Sequence, residues 1–99
     1  MKQSLTNLAE FFAKIPDVKT AEAVLPNIFT PSELVELEQR LRIFEMLNAN
    51  MPQRKIASKL GVSIGTVSRG SRVLKYEASD YLKKQSWRGQ SKLWPGSLL

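Results

Sequence analysis

The stretch Gln53–Lys75, "QRKIASKLGVSIGTVSRGSRVLK", carries six basic residues and no acid. Its apolar residues are spaced for two short helices that meet at Gly61. Ile56, Ala57 and Leu60 make the inner face of the first. Val62 and Val67 stand where the second must pack back on it. Gly61 is expected to stop the first helix in the left-handed conformation that other residues resist. Ser63 is expected to cap the second, which runs from Ile64 to about Lys75. Ala57 is small where the two helices approach. A helical pair joined by a short glycine-containing turn is a helix-turn-helix, here at about residues 52–75. The plainer alternative is a helical hairpin inside a bundle.

The charge pattern separates those readings. The chain has 99 residues and a net charge of +6. Outside Met51–Lys75 it carries nine basic and nine acidic residues, so the whole excess sits in this one stretch. A solvated surface normally mixes signs. A one-sign face attracts a polyanion. The second helix would enter the DNA major groove by its N-terminus, where free N–H groups and the helix dipole favour phosphate. Its exposed side, Ile64, Gly65, Thr66 and Ser68, is small enough to sit deep. Thr66 and Ile64 can touch a thymine methyl, and Ser68 can donate to phosphate or base. Arg54, Lys55, Lys59, Arg72 and Lys75 can grip flanking phosphates, and Gln53 and Ser63 complete the expected DNA-binding set.

Around this pair the chain reads as helix throughout, and the expected class is an all-α, small multi-helix domain. Leu5, Leu8, Phe11 and Phe12 fall on one face of a helix over Ser4–Lys14. "DVKTAEAVL" is a second, with Asp17 near its cap and Pro26 as its expected end. "TPSE" marks a third: Thr30 caps, Pro31 suits the first helical position and Glu33 completes a capping box. Its stripe is Leu34, Leu37, Leu41, Phe44 and Leu47, ending near Asn48. "SDYLKKQ" has the pattern for one or two turns. The expected division is a helical domain over residues 1–84 and a loosely ordered tail over 85–99, carrying Trp87 and Trp94.

Several classes are excluded by composition. There is no cysteine and no histidine, which removes disulfides, thiolate metal sites and the usual general base. No nucleophile–base pair can be assembled, so no catalytic or metal residue is assigned and an enzyme is not expected. "MKQSLTNLAEFF" lacks the apolar run of a signal peptide, and no run approaches the ~20 residues of a membrane span. A cytoplasmic protein with no membrane partner is expected. A helical core this small is often completed by a partner subunit. A second class of function, a protein-interaction module using the Ser4–Lys14 stripe and the Trp-bearing tail, stays open.

"TPSE…EQRLRI" followed by "QRKIASKLGVSIGTVSRGSRVLK" resembles the Trp repressor family over about Ile28–Lys75. "TVSRGS" is the most specific piece, since the generic hairpin does not require Arg-Gly-Ser there. The resemblance implies an intertwined homodimer that represses transcription from operator DNA with L-tryptophan as corepressor. It implies a ligand site made of Asn27, Phe29 and Thr30 with Arg40, Arg69 and Gly70. The chemistry suits that assignment: Arg69 for a carboxylate, Arg40 for an indole face, Gly70 leaving room for a ring.

The sequence also departs from the family. The connector "MLNANMPQR" is one residue shorter than in tryptophan-binding members. Val73 stands where they carry a small residue, often Ser, and Arg72 replaces a common Asn. The N-terminal arm is shorter too, and the tail has no counterpart in the family. These departures point to the alternative, a Trp-repressor-like DNA-binding regulator that is ligand-independent or answers to another small molecule.

Overall fold

Local hydrogen-bonding side chains set several helix starts in the computed structural model, which describes residues 2–83, with side chains from residue 5 onward. Six helices and no strand occur among the described residues: α1 Lys2–Ala13, α2 Val18–Ile28, α3 Pro31–Asn48, α4 Gln53–Leu60, α5 Ile64–Tyr76 and α6 Asp80–Lys83. The all-α class holds. The expected tail, residues 85–99, lies outside the described residues. The chain forms two compact units, residues 1–36 and 37–99, with the division falling within α3.

In the first unit Asp17 caps α2, its Oδ1 accepting from the Thr20 N–H at 2.8 Å. Pro26 does not end this helix as the sequence suggested; α2 continues to Ile28. Proline removes the N–H that would have reached the Glu22 carbonyl and crowds that carbonyl, at a place where Glu22 is exposed. The last turn survives through Phe29 N–H to the Leu25 carbonyl at 2.9 Å. The capping box at Thr30 forms in both directions. Thr30 N–H donates to Glu33 Oε1 at 2.9 Å, and Glu33 N–H to Thr30 Oγ1 at 3.2 Å. Phe12 stacks on Phe29 with ring centroids 6.2 Å apart and meets Phe11 edge-on at 5.3 Å. Leu5, Leu8 and Phe11 on α1 remain 65%, 52% and 47% exposed.

The second unit is built on Ile43, Met46, Ile56 and Val67, with Leu47, Met51, Ala57, Leu60 and Val62 packed against them. The expected α3 stripe was out of phase at one position: Leu41 is exposed, while Ile43 and Met46 are buried. A stripe read from spacing cannot say which turns meet a neighbour. Only the last turns of α3 meet α4 and α5. The stop of α3 is a six-to-one cap, Met51 N–H to the Met46 carbonyl at 3.0 Å and Asn50 N–H to the Leu47 carbonyl at 2.9 Å. Asn50 takes the left-handed conformation, φ 65°, which asparagine tolerates better than most residues. Gly61 does the same at the end of α4, φ 68°, with Val62 N–H closing on the Ala57 carbonyl at 3.1 Å. At the far end, Asn48 Nδ2 donates to the Leu82 carbonyl at 3.0 Å and ties α6 to the end of α3.

Gly70 is buried where α5 crosses α3. A Cβ there would meet Ile43 Cγ2 at 2.9 Å, with Leu47 and Phe44 atoms at 3.7 Å. Gly70→Ala therefore tests two opposed effects. Helix propensity alone would stabilise by about 1 kcal/mol; overpacking costs about 1–3 kcal/mol. A net loss in urea unfolding is expected, and a gain would show that α5 does not sit this close to α3. At the other unit, hydrogen bonds from Thr20, side chain first and backbone second, hold the Asp17 carboxyl below its ordinary value. The stabilisation from this cap is present above the unfolded-state pKa and lost as pH falls through the lower folded value. Asp17→Asn keeps an acceptor but not the titration. Its unfolding midpoint is expected to fall less steeply on acidification than that of the wild-type chain.

Candidate nucleic-acid interface

The α4–turn–α5 pair carries the basic stretch, and its geometry follows from three residues. Pro52 occupies the N-cap of α4 without a side-chain cap bond, Gly61 turns the chain, and Ser63 starts α5. The Ser63 hydroxyl accepts from the Thr66 N–H at 3.1 Å and lies 2.9 Å from Thr66 Oγ1. That pair fixes the first turn of α5. Ile64 is 49% exposed. A Cβ at Gly65 would meet only Ser63 Oγ, at 3.8 Å. The start of α5 is thus an open, low-relief surface offering the Ile64 and Gly65 N–H groups, which helix geometry leaves without intrahelical partners.

Arg54, Lys55, Lys59, Ser63, Ile64, Gly65, Thr66, Arg72 and Lys75 are all exposed; Gln53 and Ser68 are half-buried. These last two join each other. The Ser68 hydroxyl donates to Gln53 Oε1 at 2.8 Å, linking α5 to the first turn of α4. In this arrangement the hydroxyl proton that Ser68 was expected to offer to phosphate or base is engaged by Gln53. Beside this bond lies an open concavity of about 390 Å³ lined by Gln53, Gly65, Ser68, Ser71, Arg72, Lys75 and Tyr76. Ser71 and Tyr76 were missed from sequence. Extending the spacing Gly65, Ser68, Arg72 by one more turn leads to Tyr76, so a longer reading of the helical period would have found it.

The residues assigned to a ligand by resemblance fall in both units. In the first, Asn27 and Thr30 are exposed and Phe29 is half-buried. The Thr30 oxygen already accepts within its capping box, which leaves its proton to donate. In the second, Arg40 and Arg69 are exposed, Gly70 is buried and Val73 is half-buried. The space that glycine leaves at position 70 is occupied by Ile43.

The family model described as Trp repressor protein matches residues 3–86. A protein named Trp operon repressor homolog from Xylella fastidiosa is 37% identical over 86 residues, covering 85% of this chain and 94% of its own length. Proteins of the same name from Photobacterium profundum and Vibrio cholerae are 35% identical over 79 residues and 40% over 60. They cover 79% and 60% of this chain, and 67% and 58% of their own lengths. No solved structure gives a significant match.

Ser63→Ala removes both the acceptor for the Thr66 N–H and the partner of the Thr66 hydroxyl. A loss of about 1 kcal/mol in unfolding free energy is expected from the cap alone. An unchanged urea midpoint would mean that the start of α5 is fixed by other contacts.

Proposed function

The chain belongs to the Trp repressor family, and on that premise we propose that it is a homodimeric repressor that binds double-stranded operator DNA, with L-tryptophan as corepressor. As a member it is a repressor-type transcription regulator and not an enzyme. The observation that carries the DNA reading is the α4–Gly61–Ser63–α5 pair with its acid-free, exposed basic face. In this reading the start of α5 enters the major groove. Ile64, Gly65 and Thr66 meet base edges directly or through water. Gln53, Arg54, Lys55, Lys59, Ser63, Arg72 and Lys75 hold the flanking backbone, with Ser68 acting through Gln53. About six phosphate contacts per subunit give a slope of log K against log salt of about −5, steeper for a dimer.

The second copy is supported by α1, whose Leu5, Leu8 and Phe11 are too exposed for a monomer's own core. Residues 1–84 would then work as one repressor domain with 85–99 as an appendage. The proposed corepressor set is Asn27, Phe29, Thr30, Arg40, Arg69 and Gly70, with Arg69 on the carboxylate and Arg40 on the indole. No helix among the described residues is long and apolar enough to cross a membrane, and action in the cytoplasm fits that reading.

A second reading is favoured by one observation. Ile43 already fills the space at Gly70, and Val73 offers no hydrogen bond in place of the family's usual small residue. Under it the chain binds DNA without a ligand, or answers to another small molecule. Gel retention separates the two, using fragments upstream of the chain's own gene and of tryptophan-synthesis genes, with and without L-tryptophan. Under the main reading tryptophan raises affinity at least tenfold, a differential of about 1.4 kcal/mol, and Arg69→Ala abolishes the gain. Tight binding with no gain supports the second reading. Sedimentation is expected to show a dimer at micromolar concentration; a monomer both with and without DNA would refute the assembly.

A further inference from the structure

Tyr76 is 78% exposed at the last position of α5, yet it lines the same concavity as Gln53, Arg72 and Lys75. We propose that this concavity seats one backbone phosphodiester of bound DNA, held by the Tyr76 hydroxyl and the Gln53 side-chain amide between Arg72 and Lys75. The proposal rests on the DNA-binding reading and adds Tyr76 as a contact beyond the helix-turn-helix surface.

The donor inventory supports it. The concavity contains two cations and no carboxylate. It is open to solvent and has about 390 Å³ of space, so a phosphate enters with part of its hydration. Ser68 spends its proton on Gln53 Oε1. That bond turns the amide oxygen toward α5 and leaves both hydrogens of Gln53 Nε2 for an outside acceptor. Gln53 also opens α4, whose Pro52 cap supplies no side-chain acceptor. The Lys55 N–H already bonds the Pro52 carbonyl, so the first-turn N–H groups that favour an anion at this helix start are those of Gln53 and Arg54. The C-terminal end of α5 has the opposite polarity. Arg72 and Lys75 offset it, and a phenol hydroxyl can donate there without adding charge.

Position decides what Tyr76 can read. At 1.5 Å per residue it stands about 16 Å along α5 from Gly65. When the start of α5 enters the groove, Tyr76 meets the flanking backbone rather than a base. Its contact therefore carries no sequence information. Being neutral, it also releases no counterion, so its loss leaves the salt slope unchanged.

The test is retention of two duplexes by the full chain across a salt series: one of random sequence, and the promoter fragment it retains best. Tyr76→Phe is expected to weaken both roughly three- to tenfold, with no change in slope. Arg72→Ala is expected to flatten the slope by about one per subunit. Tyr81→Phe serves as the control, since Tyr81 is also exposed but does not line the concavity; it should change nothing. Ser68→Ala should weaken binding in the wild-type chain and have no further effect once Gln53 is alanine. Matching urea midpoints confirm that each variant folds. DNA retained equally by wild type and Tyr76→Phe at every salt concentration would overturn the seat and leave the DNA reading standing. A loss confined to the promoter fragment would also overturn it, by making Tyr76 a base contact. If wild type retains neither duplex, the DNA reading itself fails and the seat falls with it.

Discussion

Everything outward-facing in the second unit depends on how closely α5 lies on α3, and that distance is set at Gly70. Ile43 Cγ2 stands where a side chain would begin. With no Cβ in the way, α5 settles against Ile43, Phe44 and Leu47. Val67, three residues earlier on α5, is then fully buried alongside Ile56 of α4. Burial of such side chains contributes roughly 1.5–3 kcal/mol each, a large share of what so small a core can supply. Like charges on Arg54, Lys55, Lys59, Arg72 and Lys75 repel one another across the opposite surface. The packing beneath must hold two short helices against that repulsion, since helices of this length are marginal alone.

The parts of the fold that were legible in the sequence are those decided within one turn of chain. Thr30 and Glu33, Asp17, Gly61 and Ser63 each act on a backbone group a few residues away, so spacing alone exposes them. Pro26 was misread because a proline near a helix end removes one hydrogen bond whose acceptor water can satisfy. Leu41 was misread because periodicity gives a face but not which turns of that face have a neighbour. Asn50 illustrates the middle case: the break was legible, while the left-handed cap that makes it needed the backbone.

The site divides in the same way. The acid-free basic stretch and the glycine turn follow from composition and spacing. The bond between Ser68 and Gln53 joins residues 15 apart, and nothing in either's neighbours along the chain announces it. Tyr76 lies on the readable period of α5, but an aromatic residue at a helix end has many ordinary uses. Arg40, Arg69 and Gly70 gained a ligand role only through the family. On the residues alone, Arg40 and Arg69 read as phosphate or ion-pair groups, and Gly70 now has a sufficient packing reason to be glycine.

That packing reason constrains any switch. A ligand shifts a conformational equilibrium only by its differential affinity for the two states. A ring entering beside Gly70 meets Ile43, whose β-branched side chain has few rotamers on a helix. Making room would mean tilting α5 away from α3, at the expense of the Gly70 and Val67 contacts. The same tilt would re-aim Ser63, Thr66 and the Gln53–Ser68 pair, because all of them ride on α5 or are bonded to it. The close approach at Gly70 is thus the point where ligand binding and the DNA-facing surface would exchange free energy. Its tightness in this chain raises the differential affinity a ligand must supply. Val73, one turn further along the same helix, adds bulk without adding a hydrogen bond to repay the displacement. A chain that responds to a corepressor despite this would need a large share of the binding energy from Arg40 and Arg69, which lie exposed outside the core.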